Sequence, residues 1–116
     1  MNNREKGSRY EDIATAYLQD KGLVILEKNF RCRLGEIDII ARDGRYLCFE
    51  EIKYRASGKN GYPFEAVGKA KQRKIMQVAA NYLKFKGIGF DTPCRFDVVS
   101  ILGEEITWYK NAFGSF

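Results

Sequence analysis

Two apolar runs separated by an Asp-Gly pair dominate the pattern of the chain. Residues 35–43 read Gly-Glu-Ile-Asp-Ile-Ile-Ala-Arg-Asp, and residues 46–55 read Tyr-Leu-Cys-Phe-Glu-Glu-Ile-Lys-Tyr-Arg. β-Branched and aromatic residues on both sides of Asp43-Gly44 predict a β-hairpin. Upstream, Ser8 and Glu11 have the spacing of a capping box, which predicts a helix to about Lys21 stopped by Gly22. Ala14, Tyr17 and Leu18 form its apolar face, and the first residues, about six, are expected to be a disordered tip. Leu23-Val24-Ile25-Leu26 opens a first strand running to about Arg31, and Arg33 to Gly35 turns into the hairpin. The stretch Ala56 to Pro63 is rich in turn formers and reads either as a mobile flap or as a plain connector. A long helix is expected from Phe64 to Lys86, ended by Gly87, with Val67, Ile75, Val78, Ala79, Tyr82 and Leu83 toward the core. A fourth strand follows at Cys94–Leu102, then a turn at Gly103-Glu104 and a last strand from Ile106 to about Tyr109. This order predicts an α/β fold, a mixed central sheet of about five strands flanked by helices, in a single domain over residues 1–116.

Side chains alternate between the faces of a strand. Glu36 and Asp38 are therefore expected on one face of the first hairpin strand, and Glu51 and Lys53 on one face of the second. Where those faces coincide, three carboxylates and an ammonium crowd together, and crowded carboxylates need a cation to stay ionised. Asp38 followed by Glu51-x-Lys53 is the spacing that a hard-cation phosphodiesterase site requires. Glu11 lies on the same helical stripe as Ala14 and Leu18, and reads either as a capping carboxylate or as a further acid over the sheet. Glu50 alternates with Glu51 and shares its face with Cys48 and Ile52, where an unpaired charge costs several kcal/mol. Either it pairs with a base or that face is less covered, and a one-residue slip would exchange the two acids. Asp97 reads either as a further acid near the site or, as expected here, as the partner of a lysine or arginine.

Charge adds a direction. The formal net charge of +5 leans toward a polyanionic partner. Lys69, Lys71, Arg73 and Lys74 crowd the first half of the second helix, where cations oppose the helix dipole at about 0.3–1 kcal/mol each. That cost is offset if they face phosphates; a solvated charge run is the plain alternative. The chain has no histidine, which excludes Ser-His-Asp and Cys-His catalysis and histidine-rich metal sites. Its three cysteines, Cys32, Cys48 and Cys94, form no C-x-x-C pair and read as reduced, small and mostly buried. No apolar run is long enough to span a bilayer, and the polar N-terminus lacks a signal-peptide core, so a cytoplasmic location is expected. Phe113 and Phe116 are left to dock or to meet a partner chain.

Taken together, Gly7-x-x-x-Glu11-x-x-Ala14, Asn29-x-Arg31, Gly35-Glu36-Ile37-Asp38, Phe49-x-Glu51-Ile52-Lys53-x-Arg55, Lys71-Gln72-Arg73 and Ala112-Phe113 resemble the YraN-like family of bacterial proteins. That family resembles in turn the restriction-endonuclease-like superfamily with its PD-(D/E)xK motif, and is similar to archaeal Holliday-junction resolvases. Glu50 departs from the family pattern, which usually carries an apolar residue there. The resemblance implies an endonuclease that hydrolyses DNA phosphodiester bonds and selects branched structures. It implies that Asp38 and Glu51, with Glu11 and the backbone carbonyl of Ile52, hold one or two Mg2+ or Mn2+ ions, and that Lys53 orients the attacking water. Glu36 and Gln72 would support these groups from behind, while Arg55, Lys59, Lys69, Lys71, Arg73 and Lys74 would contact the nucleic-acid backbone. Resolvase analogy adds a homodimer. Two readings from other classes stand beside it: a non-catalytic nucleic-acid-binding or protein-interaction module on the same fold, and ordinary surface salt bridges among acids and lysines.

Overall fold

The computed structural model describes residues 3–55 and 67–114, with side chains from residue 9 onward. Its elements are α1 (Asn3–Asp20), β1 (Val24–Cys32), β2 (Gly35–Asp43), β3 (Tyr46–Arg55), α2 (Lys69–Lys86), β4 (Cys94–Leu102) and β5 (Glu105–Tyr109). The hairpin falls where Asp43-Gly44 predicts it, with Gly44 in the left-handed conformation (φ 60) that the turn requires. The five strands lie in sequence order across one sheet. Every neighbouring pair is antiparallel except β3 and β4, which run parallel. A parallel pair needs a crossover, and α2 supplies it. The fold class is α/β with a mixed five-stranded sheet, as expected.

Each helix covers one face. On one side Ile75, Val78, Ala79, Tyr82 and Leu83 of α2 pack with Ile37, Ile40, Phe49 and Phe96. On the other, Ala14 and Leu18 of α1 pack with Ile39, Ala41 and Val99. Burying one such side chain contributes about 1.5–3 kcal/mol. Because β4 is covered on both faces, Phe96 through Ile101 are all buried. Phe113 docks rather than projecting: its ring stacks on Phe96 with centroids 5.5 Å apart. Phe116 lies outside the described residues. No helix among the described residues is long and apolar enough to cross a membrane.

Two helix starts differ from expectation. α1 begins at Asn3, so Ser8 lies inside it and is no N-cap, and the expected disordered tip is helical from Asn3 onward. Arg4, Glu5 and Lys6 are good helix formers, and a helix runs through a capping motif when its upstream residues favour helix. α2 begins at Lys69 rather than Phe64, because Gly68 is extended (φ −70, ψ 167) and forms the N-cap. Residues 56–66, with the turn-rich stretch and Lys59, lie outside the described residues.

Candidate functional site

β2 and β3 pair from Asp43 opposite Tyr46 to Ile39 opposite Glu50, and there the ladder stops. Below that point β2 continues paired to β1 as far as Gly35 opposite Cys32. Beyond it β3 continues paired to β4 as far as Arg55 opposite Leu102. The sheet thus forks between Asp38 and Glu51. Strand alternation breaks at the same level. Ile37 packs on the α2 side and Ile39 on the α1 side, although residues two apart in a regular strand share a face. In β1, Lys28 meets acids of α1 while Phe30 packs edge-on against Tyr82 of α2. Asn29 between them takes a left-handed conformation (φ 55). Plain alternation therefore does not put Glu36 and Asp38 on a shared face. Asp38 instead reaches across the fork, where its Oδ2 accepts the Ile52 N–H at 2.8 Å. A side chain replaces the ladder partner that this peptide would otherwise need.

Glu51 stands on the other arm of the fork. Its side chain is only 8% exposed, and the Lys71 ammonium lies 3.1 Å from Oε1. Its Oε2 is buried with no hydrogen-bond partner among the described residues. Burial, and then the Asp38 carboxylate, push its pKa up to about 7, against the pull of Lys71 and Lys53. Burial also raises Asp38; the Ile52 N–H opposes that shift, Glu36 adds to it, Lys71 opposes it and Glu11 adds to it. Burial lowers Lys53, and contact with Lys71 lowers it further. Lys71 goes the other way, since Glu51, Lys53 and Asp38 together outweigh its own desolvation. The result is a buried carboxylate beside a half-buried one, with lysines that neutralise them incompletely. Asp38 lines a cleft of about 180 Å³ with Tyr10, Glu11, Ile52 and Tyr54. Glu51 lines one of about 190 Å³ with Gly35, Glu36, Lys71 and Lys74 among its walls. The Tyr10 and Tyr54 rings stack 3.7 Å apart beside Asp38 and tie α1 to β3.

The other expected site residues spread around this fork. Glu11 sits mid-helix, not at a cap; it lines the Asp38 cleft and lies 3.8 Å from the Lys28 ammonium. Glu36 is exposed and takes the Arg31 guanidinium at 2.8 Å. Gln72 donates to the Val67 carbonyl at 2.8 Å and so holds the start of α2. Lys69, Arg73 and Lys74 are exposed on that same start, and Arg55 ends β3. Exposed ion pairs are worth about 0–1 kcal/mol, which accounts for Arg31–Glu36 and Lys28–Asp12 as surface pairs. It does not account for the buried Glu51.

Glu50 shows a solution that the sequence reading did not contain. It is fully buried and neither pairs with a base nor faces an open surface. Its register partner on β4 is Asp97, also fully buried. Burial, and then the neighbouring Asp97 carboxylate, hold the Glu50 carboxyl well above the usual range; its Oε2 is buried with no hydrogen-bond partner among the described residues. Burial would raise Asp97 too, but Glu50, Arg95 and the Asn111 N–H hold it below its ordinary value. Arg95 donates through Nε at 3.0 Å to Oδ1 and through Nη2 at 3.0 Å to Oδ2. Asn111 N–H adds 2.8 Å to Oδ1, and Trp108 Nε1 bridges Asp97 Oδ2 and Glu50 Oε1 at 3.1 Å each. Asp97 thus pairs with an arginine, as expected.

Cys48, Glu50 and Asp97 bring ligand atoms within 4.8 Å of one another, the one such trio among the described residues; Glu11, Asp38 and Glu51 are spread wider. The trio is nonetheless a poor cation site. Both Asp97 oxygens are occupied by donors, burial holds the Glu50 carboxyl well above its usual range, and burial pushes the Cys48 thiol up to about 12. A metal ligand must be deprotonated. The sequence signal for this network was two acids in the middle of two neighbouring apolar strands; only the parallel register of β3 on β4 shows that they meet.

Residues 10–101 match the uncharacterised protein family UPF0102, a span that holds Glu11, the whole fork, Lys71 and the Glu50–Asp97 pair. The chain is 48% identical over 116 residues to a UPF0102 protein of Lachnoclostridium phytofermentans, covering 100% of this chain and 98% of that relative. It is 45% identical over 115 residues to a UPF0102 protein of Clostridioides difficile, covering 97% of this chain and 100% of the relative. With a UPF0102 protein of Nitrosococcus oceani it shares 41% identity over 115 residues, 96% of this chain and 93% of the relative. The chain belongs to the uncharacterised protein family UPF0102.

Proposed function

We propose that the fork is the metal centre of a restriction-endonuclease-like enzyme that hydrolyses phosphodiester bonds in DNA, with a preference for branched forms. One observation carries the reading: a buried glutamate, Glu51, with an oxygen that has no hydrogen-bond partner among the described residues, beside a second, half-buried carboxylate, Asp38. Such a pair is expensive unless a cation joins it. The donors are carboxylates, which suits a hard divalent cation. Asp38 and Glu51 would hold Mg2+ or Mn2+, with Glu11 and the Ile52 carbonyl completing the oxygen set. The bound ion would supply Lewis-acid stabilisation of the phosphate and lower the pKa of an attacking water.

The protein's own groups do the rest. The Ile52 N–H fixes the Asp38 carboxylate in its orientation. Lys53, two residues from Glu51 on the same strand, would orient the water and stabilise charge developing on the phosphate. Lys69, Lys71, Arg73 and Lys74 on α2, with Arg55 and Lys59, would contact the backbone without reading bases. A homodimer would match a two-fold substrate.

The test uses labelled linear, flapped and four-way DNA, with Mg2+, Mn2+ or chelator. Metal-dependent cleavage lost in Glu51→Ala and in Lys53→Ala supports the enzyme. DNA binding without cleavage, unchanged in both variants, would show a binding module instead. Sedimentation of the free and DNA-bound protein decides the dimer.

A further inference from the structure

We infer that Lys71 is a tethered counterion that stands on Glu51 in place of the divalent cation and is drawn away by the DNA backbone, so that metal and DNA bind cooperatively. This rests on the endonuclease reading above and adds a regulatory coupling to it.

The Lys71–Glu51 pair is asymmetric. Glu51 is fixed in β3 and 8% exposed, whereas Lys71, at the end of a four-carbon stem, is 46% exposed. Lys71 lies in the first turn of α2, which has no acidic residue and no side-chain cap at Gly68. A cation there is disfavoured by the helix dipole; its partner Glu51 offsets that cost. Lys71 also borders two clefts. The inner one reaches Glu51, and the outer one, about 420 Å³, is lined by Ala70, Lys71 and Lys74. The ammonium therefore has an acid on its inner side and an open basic cleft on its outer side.

A divalent ion on the free Oε2 would share this carboxylate with an ammonium that lies 3.1 Å from Oε1, and the two like charges repel. The lysine must move, and the outer cleft beside Lys74 is the place its stem can reach. There its charge needs an anion, which a phosphate supplies. Metal and DNA thus favour the same displaced position of one side chain. Each then strengthens the other, and the coupling is reciprocal.

The test measures Mn2+ affinity of the full chain by paramagnetic resonance of free Mn2+. Titrations run with and without a four-way junction made with hydrolysis-resistant phosphorothioate linkages. DNA should tighten Mn2+ binding by the wild-type protein. Lys71→Met should tighten it about tenfold or more without DNA, and should lose most of the DNA effect. Lys71→Arg, which keeps a cation, should restore both behaviours. Lys84→Met removes the same charge from the far end of the same helix, and should change Mn2+ affinity less than about threefold and keep the coupling. In the unmutated protein, Mg2+ should shift the Nζ resonance of Lys71, a readout that depends on no variant folding. Equal shifts in Lys71→Met and Lys84→Met, or no DNA effect in the wild type, overturn the inference while leaving the metal site standing. Mn2+ uptake that is undetectable, or unchanged by Glu51→Ala, overturns the endonuclease reading itself.

Discussion

Replacing Glu51 by glutamine should make the metal-free protein more stable at alkaline pH, although it removes an ion pair. In the unfolded chain this carboxyl titrates near 4.5; in the fold it titrates at about 7. The folded state therefore holds the proton more tightly. The stability that Glu51 contributes is fully present below pH 4.5 and is lost as pH rises through 7. A rise from 4.5 to about 7 corresponds to about 3 kcal/mol, a large share of a small domain's total. Most of that loss falls between about pH 5 and pH 8. Glu51→Gln stays neutral throughout and frees only Lys71, which is half exposed and loses little by it. Urea unfolding without metal should therefore show the variant more stable than wild type by about 2–3 kcal/mol at pH 8, and nearly equal at pH 5. Excess Mg2+ should then raise the wild type at pH 8 and leave the variant unmoved. Parallel stability profiles for the two proteins across this range would refute the reasoning, because Glu51 would then carry no buried charge.

Three further outcomes follow from the same geometry. Asp38→Asn keeps an acceptor for the Ile52 N–H but removes a charge beside Glu51, so the Glu51 midpoint should fall below 7 in an NMR pH titration. Asp97→Ala leaves Arg95 with Asp43 alone and takes the acceptor from the Asn111 N–H, and should cost about 2–4 kcal/mol, whereas Glu50→Gln keeps the shape without a charge and should cost less than about 1 kcal/mol, both measured by urea unfolding. Lys69→Ala with Arg73→Ala should reduce the slope of log K against log salt for DNA binding by about 2, measured by fluorescence anisotropy, with little dependence on base sequence.

The elements were largely legible because each strand and turn rests on local chemistry. Asp43-Gly44 specifies the hairpin, and Gly22 and Gly87 stop the helices without any tertiary information. The start of α1 was not legible, because Ser8 and Glu11 imitate a cap that a helix-favouring stretch runs through. The acids Asp38 and Glu51 could be named from their spacing with Lys53. Their relation could not, because regular alternation fails at Asp38 and Asn29, and a fork in a ladder has no signature in one strand's pattern. Glu50 was the clearest gap. Its surroundings are burial and Asp97, 47 positions away and brought opposite by the β3–β4 register.

Trp108 is the chain's single tryptophan, and its indole N–H rests on the buried Glu50 and Asp97 oxygens. Its fluorescence is therefore an intrinsic optical reporter on the α1 face, needing no label. It should follow unfolding and any change in the charge of this acid pair directly. A change in its emission when Mn2+ is added would mean that the signal has crossed the sheet through the backbone of β3, from Glu51 to its neighbour Glu50.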